Sequence, residues 1–290
     1  MTYGSAILGD NQFLGVNHAD QAKASMLFEK FKNTDAILEV IGAAYDSGVR
    51  DFMFTAHDRY VAVFDEIIES NLFPSMHYTP CIPYAHKYWS QLSSRSLPQV
   101  LGSLAQQINP IEAFAAGLAM FAGRPKKTIS LLVELEILMT KGLPIRGVFL
   151  QNAAVDLLIA IRAFKELEAF ADALTHRLKI LPGFITMNHP KAVEVLCHEI
   201  GLEDPWVCAN YNSAGFRMNP SKAEVEASFA ARRSKNIAMS VFASGAASAE
   251  SSLDYVLSKT GAGGVDALLF GSSNPVNIED NTKKIIKGKK

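Results

Sequence analysis

The sequence predicts an α/β protein with one (β/α)8 TIM barrel and a helical insertion between strands 3 and 4. Eight short apolar runs alternate with amphipathic helical patterns, and such continuous runs are typical of parallel strands covered on both faces. The chain has 290 residues, a usual length for one barrel. An open doubly wound sheet is the alternative, but the G-x-G-x-x-G turn that usually follows its first strand is absent from the sequence.

The eight apolar runs give the strands of the predicted barrel. They cover residues 13–16, 51–55, 77–82, 147–151, 183–187, 206–209, 237–243 and 267–270. Between strands 4 and 5, one long helix is predicted from an apolar stripe that includes Leu157, Ile161 and Phe164. Before strand 7, Ser221 and Glu224 form a capping-box pattern that predicts a helix start.

The insertion falls within residues 85–145 of a single domain that spans residues 1–290. Asn109-Pro110 has the cap and first-turn residues of a helix start, and the helix predicted at 111–122 is apolar almost all round. Because such a helix must be buried, we expect a lid over the barrel mouth, a contact between subunits of a homo-oligomer, or a helix packed on the barrel flank.

Composition limits the classes of partner. Lys and Arg number 28 against 29 Asp and Glu, so charge gives no reason to expect nucleic acid or a membrane surface. No apolar run reaches about 18 residues, the length of a membrane span. The three cysteines are widely spaced, as in reduced cytoplasmic proteins. We therefore expect a cytoplasmic protein whose partner is a small-molecule substrate.

Polar residues follow the predicted strands, at the end of a barrel where ligands bind. Four of the seven histidines, including His18, His57 and His189, lie at this rim. His57, Asp58, Tyr60 and His189 are the predicted catalytic residues, because imidazole, carboxyl and phenol groups transfer protons. The predicted substrate-binding residues are Asn17, His18, Asn152, Asn188 and Asn210.

Two small-residue loops indicate an anion site. Ser244-Gly245 follows strand 7 and Gly271-Ser272-Ser273 follows strand 8, and both loops open helices. Glycine lets a ligand approach the backbone, and helix N-termini attract anions. The loops after strands 7 and 8 are a frequent phosphate site in barrels. The alternative interpretation is a tight strand-to-helix turn with serine as the cap.

The clustered histidines also raise the question of a metal. His18, His57 and His189 are the candidate ligands for a divalent ion, with Asp58 as a fourth ligand or as a base. The sequence has no H-x-H or H-E-x-x-H spacing. Acid–base chemistry by histidine without a metal is the alternative.

The C-terminal third resembles the aldo-keto reductase superfamily. The resemblance is carried by Gly271-Ser272-Ser273-Asn274-Pro275 followed by Glu279-Asp280-Asn281, and by the stretch from Asp46 to Tyr60. It implies a barrel in which Gly271, Ser272, Ser273 and Asn281 hold the phosphate and adenine of NAD(P). Residues 274–277 contain no Arg or Lys, although the family clasps a 2′-phosphate with basic side chains.

The family's catalytic Asp, Tyr, Lys and His do not carry over as a set. Phe54 stands at the Asp position, residues 79–81 contain no Lys, Asn152 stands at the His position, and Tyr60 is shifted by one residue. We therefore expect a lyase, isomerase or hydrolase acting on a small anionic or phosphorylated metabolite. A divergent NAD(P)-dependent oxidoreductase that uses His57 and Tyr60 for its proton is the alternative.

Overall fold

The computed structural model describes residues 2–15, 21–82, 129, 133–134, 136–140, 142–245 and 248–288. Eight parallel strands pair in chain order, and the last pairs with the first to close the barrel. The strands are β1 (Ala6–Leu8), β2 (Asp51–Thr55), β3 (His77–Ile82), β4 (Gly147–Leu150), β5 (Leu181–Thr186), β6 (Trp206–Asn210), β7 (Lys235–Met239) and β8 (Ala267–Phe270). The predicted fold class is confirmed.

Helices alternate with these strands. They are α1 (Gln21–Lys30), α2 (Thr34–Asp46), α3 (Tyr60–Glu69), α4 (Asn152–Ala160), α5 (Phe164–Asp172), α6 (His189–Glu194), α7 (Lys222–Ala230), α8 (Ala249–Leu257) and α9 (Pro275–Gly288). The capping box that predicts α7 is present, since the Ser221 hydroxyl accepts from the Glu224 backbone N–H. None of the helices in the described part of the chain is long and apolar enough to cross a membrane.

The first strand lies earlier in the chain than the sequence predicts. β1 is the three-residue run Ala6–Leu8, whereas the predicted strand at 13–16 begins inside a turn. An apolar residue stands at position 13 because this side chain is buried in the turn. The ring centroid of Phe13 lies 4.9 Å from that of Phe31 and 6.2 Å from that of Phe52. The apolar run at 13–16 therefore comes from a buried turn and not from a strand. The residues that follow β1 are Gly9 to Gln12.

Two other elements differ from prediction by more than one or two residues at their ends. β7 ends at Met239, so residues 240–243 belong to the loop that follows it. The long helix predicted between strands 4 and 5 is two helices, because Arg162 has a left-handed backbone (φ 57°) that ends α4 before α5 begins. Leu157 and Ile161 are 58% and 63% exposed, so the stripe does not form one buried face.

The predicted insertion lies largely outside the described residues. This applies to the helix at 111–122 and to the proposed lid or subunit contact. Its last residues form a 3-10 turn, Leu138–Thr140, before β4. The single-domain division and the insertion stay predictions.

Side chains fill the barrel interior at the N-terminal end of the strands. The Phe149 ring packs over Gly183, its partner on the neighbouring strand β5, where any side chain would collide with the ring. Tyr3 closes the N-terminal end, 4.9 Å from Trp206 between ring centroids. Ion pairing between Asp51 and Arg146 reinforces this end. The opposite end, where the strands terminate, carries the polar loops.

Candidate functional site

The loops after β7, β8 and β1 meet at one side of the barrel mouth. We call them the 7–8–1 rim, formed by residues 240–245, 271–274 and 9–12. They are joined at the strand ends, because the Gly9 N–H donates to the Phe270 carbonyl at 2.7 Å. Gln12 packs against Gly271 and donates to the Gly9 carbonyl at 2.7 Å. A ligand held by the loop after β8 is therefore adjacent to the loop after β1, and Phe242 of the loop after β7 lines the same cavity as Gly271.

The loop after β7 has an unusual backbone. Ser240, Ala243 and Ser244 have left-handed φ values of 54°, 46° and 56°, followed by Gly245 at 90°. Side chains with a Cβ rarely adopt this conformation, and such strain concentrates at functional sites. Nothing lies within 4 Å of the position that a Gly245 Cβ would occupy, so a ligand can approach the backbone there.

The loop after β8 forms the N-terminus of α9. The Asn274 side chain caps the helix by accepting from the Val276 N–H at 3.0 Å, and Ser272 accepts from the Asn274 N–H at 3.2 Å. The Lys30 ammonium, from the end of α1, donates to the Ser273 carbonyl at 2.9 Å. A positive charge therefore stands beside the turn that the sequence predicts as an anion site.

A cavity of about 520 Å³ opens between these loops and helices α8 and α9. Gly271 and Ser272 line one end, and Asn281 lies farther along α9. The cavity thus brings together three of the residues that the sequence predicts for phosphate or cofactor binding. The other lining residues are Phe242, Ala249, Glu250, Leu253, Asn277, Asp280 and Lys284.

A second depression, of about 670 Å³, lies between the C-terminal parts of α8 and α9. Its basic residues are Lys283, Lys284 and Lys287, and it contains none of the predicted site residues. The depression shares only Lys284 with the smaller cavity, and that cavity contains predicted site residues, so we place the candidate site in the smaller cavity at the rim.

Asp10 is a buried carboxyl group at the end of β1. Its Oδ2 accepts from the Thr55 N–H at 2.7 Å and from the Tyr60 hydroxyl at 3.0 Å. Desolvation raises the pKa of Asp10 to about 6, although these hydrogen bonds oppose the shift. Asp10 is not among the predicted site residues, because the predicted strand 1 lies later in the chain than β1. A carboxyl group two residues after the run Ala6-Ile7-Leu8 was the available signal.

The predicted catalytic residues after β2 have distinct environments. Tyr60 is fully buried at the start of α3, and its hydroxyl proton is directed at Asp10. Burial and the Asp10 charge raise the pKa of Tyr60 well above its usual value. His57 is half-buried, and its Nδ1 accepts from the Arg59 N–H at 2.9 Å. Asp58 is exposed.

His189 lies at the start of α6, between that helix, α7 and β7. Its Nδ1 is 2.9 Å from the Ser228 hydroxyl and its Nε2 is 2.9 Å from Asn236 Oδ1. Its ring is 4.2 Å from that of Phe229 between centroids. Desolvation lowers the pKa of His189 to about 4, so the buried imidazole is neutral at pH 7. Both ring nitrogens are occupied by protein groups.

The predicted asparagines also bond to nearby protein groups. Asn188 caps α6 by accepting from the Lys191 N–H at 3.2 Å. Asn210 is buried and donates to the Arg217 carbonyl at 3.1 Å. Asn152 is half-buried at the first position of α4. Asn17 and His18 lie outside the described residues.

No metal site is found in the described part of the chain. There, no group of three or more His, Cys, Asp or Glu side chains is placed to hold an ion. His189 is engaged by Ser228 and Asn236, and the position of His18 is outside the described ranges. The structure therefore does not bring the three predicted histidine ligands together.

The structure also places other side chains at the positions where aldo-keto reductases carry their catalytic Asp and Lys. Phe54 is buried outside the barrel, 5.3 Å from the Tyr60 ring between centroids. Cys81 is buried inside the barrel, and burial raises the pKa of its thiol well above the usual value. The described structure therefore contains no copy of the Asp-Tyr-Lys-His arrangement at these positions.

Comparison with solved structures supports the fold resemblance. Two structures from Pseudomonas aeruginosa, each described as a "putative aldo-keto reductase", match all of this chain. One has a TM-score of 0.60 at 12% identity and is covered to 93% of its length; the other has 0.58 at 13% and 92%. No family model matches the sequence, and no curated protein matches it. The aldo-keto reductase-like barrel is confirmed as the fold.

These matches correct the expected chemistry. The preference for a lyase, isomerase or hydrolase is wrong, because the matching structures carry the name of a redox enzyme and none points to a non-redox reaction. That preference arose from the missing catalytic set and the histidines of the rim. The oxidoreductase alternative is the better supported of the two functions.

Proposed function

We propose that the protein is an NAD(P)-dependent oxidoreductase that interconverts a small carbonyl compound and its alcohol. The observation that carries the proposal is the cavity at the 7–8–1 rim. It gathers Gly271, Ser272 and Asn281, the positions at which the family resemblance expects nucleotide phosphate and adenine. A volume of about 520 Å³ lies within the usual range of ligand pockets.

The groups around the cavity fit the two ends of a nucleotide. At the rim, the Ser272 hydroxyl and the N-terminus of α9 are suited to a diphosphate. Gly245, whose backbone is open, does not line the cavity, but Phe242 from the same loop does. Lys30 adds a positive charge next to Ser273. Along α9, the amide of Asn281 can bond to an adenine edge, while Phe242 and Leu253 supply apolar surface.

Asp10 is the proposed proton donor. When bound, the nicotinamide supplies the hydride that reduces the carbonyl carbon. Asp10 would give a proton to the carbonyl oxygen, so that hydride and proton together yield the alcohol. Tyr60 and the Thr55 N–H hold the carboxyl group in place. A pKa of about 6 leaves part of the Asp10 population protonated near neutral pH, as a general acid requires.

His57 and Tyr60 remain the predicted proton-transfer residues of the loop after β2. In this proposal Tyr60 acts as a positioning residue, because its hydroxyl bonds to Asp10. Removing that hydrogen bond would raise the pKa of Asp10 further, since the bond stabilises the ionised carboxylate. The substrate roles of Asn152, Asn188 and Asn210 stay predictions.

Cofactor binding tests the proposal directly. We expect calorimetric titration to detect one site for NADH or NADPH, and Ser272→Asp to weaken it at least about 30-fold, because a carboxylate would repel the diphosphate. Calorimetry is preferable to tryptophan quenching, because Trp206 is buried against Tyr3 at the other end of the barrel.

Ser213→Asp is the matched control, since it adds the same charge to the loop after β6, outside the cavity lining. It should leave the affinity unchanged. The proposal is wrong if the wild-type protein binds neither dinucleotide, or if both aspartate variants weaken binding equally.

A further inference from the structure

We infer that the cavity at the 7–8–1 rim selects a dinucleotide with a free 2′-hydroxyl, NAD(H), over its 2′-phosphorylated form. The inference rests on the proposed function and concerns the adenosine end of the same site. Two carboxylates, Glu250 and Asp280, line this part of the cavity against a single ammonium, that of Lys284.

The ammonium of Lys284 is already neutralised by protein groups. Its Nζ lies 2.7 Å from Asp254 Oδ1 and 3.8 Å from Glu250 Oε1. It also donates to the Glu250 backbone carbonyl at 3.3 Å. A phosphate that approached Lys284 would therefore have to displace these acceptors. Lys284 is therefore not free to bind a 2′-phosphate.

A 2′-phosphate would add a charge of about −1.5 to −2 to this surface. Glu250 on α8 and Asp280 on α9 would repel it from opposite sides of the cavity. A ribose diol has the opposite preference, because its hydroxyl groups donate hydrogen bonds to carboxylates, the recognition used in many NAD sites. The same residues thus disfavour one cofactor and can bind the other.

The two ends of the cavity therefore differ in charge. At the turn, the Lys30 ammonium donates to the Ser273 carbonyl. At the adenosine end, the carboxylates outnumber the ammonium. This arrangement suits a molecule with its negative charge confined to the diphosphate.

The test is a calorimetric comparison of NADH with NADPH, and of ADP-ribose with its 2′-phosphate, on the full chain. We expect the 2′-hydroxyl forms to bind at least about 10-fold more tightly at low salt, with a smaller ratio at high salt. The double variant Glu250→Gln, Asp280→Asn should reduce the ratio at least about 5-fold, mainly by improving binding of the 2′-phosphates.

Glu279→Gln is the control, because Glu279 lies on the same helix, pairs with Lys283 and does not line the cavity. It should leave the ratio unchanged. Tighter binding of NADPH than NADH, or a ratio insensitive to the double variant, would overturn this inference while leaving the proposed function intact. Absence of binding by all four ligands would overturn the proposed function as well.

Discussion

Polar residues follow the strands on both sides of the barrel mouth, but the two sides differ in their backbone conformation and in their buried groups. We call the loops after β5 and β6 the 5–6 rim, formed by residues 187–188 and 211–220 together with Asp156 of α4, which bonds to the end of β5. There, Asp156 accepts from the Thr186 hydroxyl at 2.5 Å and from the Met187 N–H at 2.9 Å. Asn212 both accepts from and donates to the backbone of Phe216. Polar groups of the 5–6 rim thus stabilise their own loops.

The 7–8–1 rim has a strained backbone, an open cavity and a buried carboxyl group with a raised pKa. Its loops carry a structural cost that packing alone does not explain. The contrast teaches that polarity after a strand is not by itself a mark of function. Ser272 and Asn274 of the 7–8–1 rim also bond within their own loop, so the left-handed backbone, the cavity and the buried Asp10 are what mark it as the candidate binding rim.

The largest difference between the rims should appear in kcat when one carboxyl group on each rim is changed to an amide. Asp10→Asn keeps an oxygen that can accept from Thr55 and Tyr60 but removes the acidic proton. We expect kcat for carbonyl reduction to fall about 100- to 1,000-fold with little change in cofactor affinity. The wild-type rate should decline as the pH rises through about 6, the pKa of Asp10.

Asp156→Asn makes the same chemical change on the 5–6 rim, where the carboxylate accepts from Thr186 and Met187. It should lower the free energy of unfolding and leave kcat within about 3-fold of wild type. Steady-state kinetics and thermal unfolding measure both variants. Equal loss of kcat in the two would remove the distinction between the rims.

A smaller effect is expected in the pH dependence of stability. The pKa of Asp10 is raised from 3.8 to about 6, so its protonated form favours the folded state and this contribution is lost as the pH rises through that range. The pKa of His189 is lowered from 6.5 to about 4, so stability is lost as the pH falls through its range. Each contribution is about 3 kcal/mol at most, and the two oppose each other between pH 4 and 6.

Single variants should separate these contributions. In Asp10→Asn the free energy of unfolding should rise from pH 4 to 6, because the histidine contribution remains. In His189→Gln it should fall over the same range. Urea unfolding at several pH values measures both slopes. Parallel slopes in the two variants would show that these buried groups do not control the profile.

Strand periodicity and helix signals were enough to predict the barrel. β2, β3 and β8 begin and end at the predicted residues. β1 was misplaced because Phe13 packs against Phe31 in a turn, which gave a false apolar run. Because strand 1 was predicted too late, Asn17 and His18 were expected at the barrel mouth in place of Asp10.

The site was only partly predictable. Gly271, Ser272 and Asn281 were found because the turn and the start of α9 have a local sequence pattern, and the cavity brings them together. Lys30 of α1, Asp10 in the loop after β1 and Glu250 of α8 come from three separate parts of the chain, and no spacing in the sequence relates them. The burial of His189 depends on its contacts with Ser228 and Asn236, both distant in the chain.

The most direct test of the account is a crystal structure of the protein with ADP-ribose. We predict that the diphosphate lies against Ser272 and Ser273 near Lys30, and that the adenine reaches Asn281 in the cavity between α8 and α9. An ordered nucleotide seated instead on the 5–6 rim, or an empty cavity at saturating ligand, would contradict the assignment of the 7–8–1 rim as the cofactor site.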